Sequence, residues 1–250
     1  MKQNESLAET RAVFVLFAQK PNKSEQSPEY GFFCGGFYGR INENSKNAEG
    51  GRSMTNAPKT VLAIHDLPGF GRAALSVIVP VLSTLGVQTV ALPTAVLSTH
   101  TGGLGTPAKL ADPGYGPVAL EHYHRLGVKF DCIYSGYLAD AAQAKLVEQA
   151  FELWPRAFKV VDPVLGDGGR LYSGLGADMV PAMYSLCSKA DLIVPNVTEA
   201  ALLLGDPLPG VGSAEQAAAQ AARLTRVAPQ VVVTGVTGIG GGRYIGCVGA

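Results

Sequence analysis

TVLAIHDLPGFGR (residues 60–72) decides how the rest of the chain is read. TVLAI (60–64) has the length and apolar run of a short buried strand. HDLPGFGR then supplies a Gly-rich turn, and a helix is expected from about Ala73 to Leu85, stopped by Gly86 in the C′ position. Strand, turn and helix make the opening of a βα unit.

The same unit recurs downstream. VQTVAL (87–92) is the second strand, and a long loop follows it from Pro93 to Gly116. That loop exceeds the ~12–15 residues usual for unstructured connections, so a functional job is expected of it. Helices are expected over Pro117–Leu126, Asp140–Leu153, Ala177–Ser188, about Thr198–Leu204 and about Ser213–Val227. FDCIYSG (130–136), FKVVDPV (158–164), ADLIVPN (190–196) and QVVVTG (230–235) are the strands between and after them. Short apolar strands alternating with helices predict an α/β fold, with a mainly parallel sheet and helices on both faces. Ligands of such sheets bind at the carboxyl ends of the strands, where this sequence keeps its polar residues.

Residues 1–58 have a different texture. KPNKSEQSPE (20–29) is polar and interrupted by proline, residues 41–52 are rich in Asn, Gly and Ser, and GFFCGGFYG (31–39) between them has no clear period. The segment reads as mostly disordered. Met54 lies just before the first strand, so the upstream residues are a candidate misassigned leader.

Composition narrows the function classes. The formal net charge is zero, which signals neither nucleic acid nor an anionic membrane as partner. No apolar run approaches the ~20 residues of a membrane span. AVFVLFA (12–18) is shorter than a span, lies behind Glu5 and Glu9 and lacks a following cleavage site, so the cytoplasm is the expected location. Cys34, Cys132, Cys187 and Cys247 are widely spaced, with neither zinc-ligand nor disulfide spacing.

Several constellations sit at expected strand ends. His65 and Asp66 precede Gly69-Phe-Gly71-Arg-Ala-Ala74, the outline of a dinucleotide fingerprint. That reading wants an acidic residue after the second strand, and none occurs until Asp112. A small polar ligand at a helix N-terminus, or simply a tight turn, accounts for the glycines as well. Ser98, Thr99, His100 and Thr101 line the loop after the second strand, whereas His122 and His124 have the i,i+2 spacing of a solvated helix surface. In VVDPVLGD (160–167), Asp162 and Asp167 are two carboxylates at a sheet edge, able to hold Mg²⁺ through water or to cap a turn. In VPNVTE (194–199), Asn196 or Thr198 can cap the next helix, with Glu199 in its first turn. GVTGIGGGR (235–243) is Gly-rich without the Lys-Ser/Thr of a Walker A loop, and its glycines also suit a hairpin.

Together VLAIHDLPGFGR, LPTAVLSTHTGG, FDCIYSGYL, VVDPVLGDGGRLY, ADLIVPNVTEA and VVVTGV resemble, in order, the pyridoxal (pyridoxine/pyridoxamine) kinases of the ribokinase-like superfamily. The resemblance covers residues 59–250. It implies ATP-dependent phosphorylation of the 5′-hydroxymethyl group of a B6 vitamer, with ATP and Mg²⁺ as cofactors and a homodimer as a common assembly. By that resemblance Asp66, His100, Thr101 and Tyr137 are substrate-binding. Asp162, Tyr172, Asn196, Glu199 and Thr234 are ATP-binding, and Asp167 and Glu199 are on the metal side. Phosphoryl transfer needs positioning and charge neutralisation, which such residues supply. The family's later Gly-Thr-Gly-Asp motif, which carries its anion hole and base, does not occur in the 250 residues. The expectation is therefore a fold incomplete at the C-terminus and without turnover. A non-catalytic B6-binding protein, a kinase of a related alcohol such as hydroxymethylpyrimidine and, more distantly, an NAD(H)-binding oxidoreductase are the alternatives.

Overall fold

The computed structural model describes residues 58–101, 104–172, 174–176, 178–209, 212–237 and 245–249. The expected disorder of residues 1–57, the candidate start at Met54 and the aromatic–glycine patch lie outside them.

The elements run β1 (Thr60–Phe70), α1 (Leu75–Thr84), β2 (Gln88–Thr99), β3 (Lys109–Leu110), α2 (Tyr115–Arg125), β4 (Cys132–Ser135), α3 (Ala141–Leu153) and β5 (Phe158–Val161). They continue with β6 (Gly166–Asp167), β7 (Arg170–Leu171), α4 (Met179–Cys187), β8 (Leu192–Ile193), α5 (Val197–Leu204), α6 (Ala214–Leu224), β9 (Gln230–Thr237) and β10 (Ile245–Gly249). Among the described residues, eight strands form one sheet in the order β10-β9-β8-β5-β4-β1-β2-β3, and β6 and β7 form a separate hairpin. The pairs from β9 through to β2 are parallel; only the outer partners, β3 and β10, pair antiparallel. The α/β class and the mainly parallel sheet are as the sequence predicts.

Strand alternation divides the core between the two faces. Leu62, Ile64, Ile133, Val161, Ile193, Val231 and Val233 face one side, against buried residues of α2, α3, α4, α5 and α6. Val61, Ala63, Tyr134, Val160, Leu192 and Val194 face the other, against Leu75, Ile78 and Leu82 of α1. Among the described residues, five helices therefore cover one face and one covers the second. The helix ends follow local chemistry. Asp140 caps α3 by accepting the Gln143 N–H at 2.9 Å, Ser213 caps α6 by accepting that of Gln216 at 3.2 Å, and Gly86 closes α1 in the C′ position.

Several boundaries differ from the sequence reading, while helix ends agree to within three residues. β1 continues through Phe70, and the expected loop from Pro93 begins as strand, running to Thr99, with Lys109–Leu110 pairing back upon it. β4 pairs with β1 only as far as Ile64↔Ser135, so residues 65–70 are held by β2 alone, with a register shift between His65 and Leu67. The tip of this extension is open to solvent, with Phe70 68% exposed. Polarity and prolines hide the extension from a periodicity argument. β5 ends at Val161, and the expected Gly-rich turn after it contains the β6–β7 hairpin. β9 runs to Thr237 and β10 pairs with it antiparallel, while most of the Gly-rich segment, 238–244, lies outside the described residues.

Candidate active site

The polar residues buried at strand ends fall on two sides of the sheet centre. On the first side are His65 and Asp66 of β1, and Tyr137 just after β4. His65 is 1% exposed and Asp66 7%. The His65 Nδ1 lies 2.6 Å from Asp66 Oδ1, and its Nε2 lies 3.3 Å from the backbone nitrogen of Tyr137, whose N–H donates to it. Gly136 makes room for that ring: a Cβ there would sit 2.0 Å from His65 Cδ2. Burial pushes the Tyr137 phenol above its ordinary range, and the charges of Asp66 and Asp140 add to the effect.

His100 and Thr101 follow the end of β2. The His100 N–H donates to Phe70 O at 3.1 Å, and the His100 ring lies over Gly71, where a Cβ would be 1.9 Å from Cδ2. Gly71 also has φ of 111°, a conformation side chains other than glycine rarely adopt. Arg72 and Ala74 hold positive φ as well, so the bend into α1 departs from a simple glycine turn.

The second side is built around the N-terminus of α5. Asn196 and Glu199 form a capping box: Asn196 Oδ1 accepts from the N–H groups of Thr198 and Glu199, while Glu199 Oε2 accepts the Asn196 N–H at 2.7 Å. Asn196 is thus the cap, settling the choice left between it and Thr198. The same turn ties down the segment around the β6–β7 hairpin. Asn196 Nδ2 donates to Gly166 O at 2.8 Å, Gly169 N–H to Thr198 Oγ1 at 3.0 Å and Leu165 N–H to Glu199 Oε1 at 3.2 Å. Thr234 of β9 bridges to Asn196 and donates its N–H to Pro195 O at 2.8 Å. Tyr172 follows the hairpin and donates its N–H to Leu165 O at 2.9 Å. Asp167 lies in β6, where its Oδ1 accepts the Gly168 N–H at 2.8 Å.

Glu199 is 3% exposed, and burial first, then the charge of Asp162, pushes its carboxyl well above the usual carboxylate range. Backbone N–H donors pull the other way without offsetting this. Each Glu199 oxygen accepts a backbone N–H and keeps a further lone pair. Among the described residues, no group of three or more His, Cys, Asp or Glu is gathered closely enough to cage a metal.

Tyr134 joins the two sides. It is fully buried in β4, its ring stacks on His65 at 6.3 Å and 29°, and its hydroxyl donates to Asp162 Oδ2 at 3.2 Å. Neither Tyr134 nor His65 was assigned a role from sequence. The signal for both is register. Ala63, Tyr134 and Val160 are direct partners across β1, β4 and β5, so alternation places His65, Tyr134 and Asp162 on one face. Elsewhere, a cavity of about 370 Å³ opens beside β2, β3, α2 and α3, lined by Thr94, Lys109, Asp112, Asp140 and Lys145 among others. None of the predicted site residues lines it.

Known proteins share this fold. Residues 122–244 match the phosphomethylpyrimidine kinase family model. A crystal structure, with pyridoxal, of a Bacteroides thetaiotaomicron protein assigned as a phosphomethylpyrimidine kinase is 39% identical at a TM-score of 0.68, covering 72% of this chain and 64% of that one. The structure of pyridoxal kinase from Lactobacillus plantarum is 36% identical at a TM-score of 0.66, covering 78% and 73%. A pyridoxal kinase from Deinococcus radiodurans is 28% identical over 190 residues, 70% of this chain and 61% of its own length. The chain thus spans about six-tenths of the length of the curated Deinococcus relative.

The fold is that of the ribokinase-like α/β kinases. Within that superfamily, the chain belongs to the pyridoxal kinase family.

Proposed function

We propose that this chain serves vitamin B6 salvage, as the B6-binding and metal-side part of a kinase that phosphorylates the 5′-hydroxymethyl group of pyridoxal, pyridoxamine or pyridoxine with ATP. The observation that supports this most directly is the continuous His65–Tyr134–Asp162 contact, which sets a substrate side and a nucleotide side on one sheet face. On the substrate side Asp66 and Tyr137 face the vitamin ring, and His100 and Thr101 contribute from the loop after β2. On the nucleotide side Asp162, Tyr172 and Thr234 approach ATP, and Asn196 acts by holding the helix cap and the hairpin in place. Asp167, and Glu199 through water, would hold Mg²⁺, which would supply charge neutralisation of the phosphate oxygens. Asp66 and Glu199 are buried, so charges placed beside them are weakly screened by solvent.

The Gly-Thr-Gly-Asp element that the family resemblance assigns to the anion hole and base is absent from the 250 residues. These residues alone are therefore proposed to bind a vitamer without turning it over. Calorimetry with pyridoxal and pyridoxine, alongside an assay for ATP-dependent pyridoxal 5′-phosphate, tests both halves. Binding without product is the expected result. Product formed by the pure 250-residue chain overturns the lack of turnover, and absence of binding overturns the vitamin reading. The match to the phosphomethylpyrimidine kinase model favours hydroxymethylpyrimidine as a second ligand, and tighter binding of that alcohol would replace vitamin B6.

A further inference from the structure

The scheme above uses the buried His65 only as one end of the contact that runs through Tyr134 to Asp162. His65 is 1% exposed, and both its ring nitrogens are engaged by neighbouring site residues. Three contacts bear on its tautomer. Nε2 meets the Tyr137 N–H at 3.3 Å and must present a lone pair there. Nδ1 lies 2.6 Å from Asp66 Oδ1, a contact satisfied when Nδ1 carries the proton. The third contact, from the Asp66 N–H to Nδ1 at 2.9 Å, would favour the opposite tautomer. That tautomer turns Nε2–H against the Tyr137 N–H and sets the Nδ1 lone pair against a carboxylate. Two of three contacts therefore require the proton on Nδ1.

The surroundings hold the ring in this pose. Gly136 removes the Cβ that would overlap Cδ2 and Nε2, and Tyr134 stacks on one face of the imidazole. Asp66 Oδ1 is thereby taken, and Oδ2 has no hydrogen-bond partner among the described residues. An ionised carboxylate only accepts hydrogen bonds, unlike a hydroxyl, which donates or accepts.

We infer that His65 is a positioning residue which, as the Nδ1–H tautomer, fixes Asp66 relative to Tyr137 so that Asp66 Oδ2 selects a ligand ring bearing an N–H donor. The ligand class is a protonated nitrogen heteroaromatic, and the claim that such a ring binds here rests on the proposed function. Asp66 makes the contact, and His65 acts through it. Losing the His65 grip lets the carboxylate turn, so discrimination for the ring nitrogen falls further than affinity for the ring as a whole.

Two measurements test this. The first is imidazole ¹⁵N NMR of the ligand-free, wild-type chain. With four histidines in the sequence, His65 is assigned by the signals lost in His65→Asn. Protonated Nδ1 and bare Nε2 are expected, and the opposite tautomer or a doubly protonated ring overturns the inference whether or not any vitamer binds. The second is calorimetric affinity for pyridoxine against its carbocyclic analogue, with C–H in place of the ring nitrogen. The wild type should prefer pyridoxine at least about tenfold, the scale of one charge-assisted hydrogen bond. His65→Asn and His65→Gln should bring that preference to within about threefold of unity. An unchanged preference in both variants, or equal weakening of both ligands, makes His65 merely structural and overturns the inference. Binding of neither ligand by the wild type refutes the vitamin reading, and the tautomer measurement then decides the role of His65.

Discussion

The Tyr134 hydroxyl donates to Asp162 Oδ2 at 3.2 Å from within a fully buried strand, so a carboxylate on the nucleotide side is held by a residue whose ring packs on the substrate side. Tyr134→Phe removes that donor and keeps the ring. The expected cost is about 1.5–3 kcal/mol, the range for a hydrogen bond to a charged group, read as a lower midpoint in urea with an unchanged slope. Affinity for adenine nucleotide should fall by more than affinity for pyridoxine, because stacking on His65 survives. Equal losses would show that Tyr134 does not distinguish the two sides.

Glu199→Gln tests the cap that organises the nucleotide side. Both carboxylate oxygens accept backbone N–H groups, from Leu165 and Asn196. A glutamine offers one oxygen and turns its NH₂ toward the second donor, leaving a buried N–H unpaired at a cost of about 1–3 kcal/mol. The amides of Leu165 and Gly169 should then exchange faster by hydrogen–deuterium measurement, since both are tied to this turn. Unchanged protection at these amides would mean the hairpin is held by other contacts.

The same residue gives a pH dependence with a definite sign. The Glu199 carboxyl is raised by burial and by the Asp162 charge, so the folded state binds its proton more tightly than the unfolded chain does. Its contribution is fully present below the unfolded value, near 4.5, and is lost as pH rises through the folded value. Asp131 works in the opposite sense. Burial raises it, but the Lys59 ammonium and the Thr60 N–H outweigh that and leave it low, so its contribution is lost as pH falls. Comparing the urea midpoints of wild type and Glu199→Gln from pH 4.5 upward isolates the first effect. The stability gap between them should narrow as pH rises, and a gap that widens contradicts the raised carboxyl.

What could be read from the sequence depended on which forces leave a pattern in it. The buried strands show themselves because both faces are covered, and β1, β4, β5 and β9 appear as apolar runs. The Asn196–Glu199 cap is equally visible, since its hydrogen bonds span three residues. The β1–β2 extension beyond Ile64 is not, because polar residues and prolines interrupt it and β2 pairs there with β1 and with the two-residue β3. The His65–Tyr134–Asp162 contact is hidden for another reason. It joins residues 69 and 28 positions apart in the sequence, and only the strand register brings them together. A periodicity argument finds the strands and not their alignment.

Cys132 and Cys187 give a check on the packing of the sheet and of α4 that is independent of any ligand. Burial first, and then neighbouring carboxylates, pushes the Cys132 thiol up to about 12 and raises that of Cys187 as well. The thiolate is the reactive form, and a thiol at about 12 has about one part in ten thousand ionised at pH 8. Iodoacetamide at pH 8, followed by peptide mapping, should leave both residues unmodified in the native chain and modify both in guanidinium. Because the peptides report each cysteine separately, Cys34 and Cys247 do not confuse the result. Rapid native labelling of Cys187, which is fully buried between α4 and the sheet's core, would show that this face opens far more readily than its packing implies. Labelling confined to Cys132 would place the weakness instead at the start of β4, where the Lys59–Asp131 pair closes the edge at 2.7 Å.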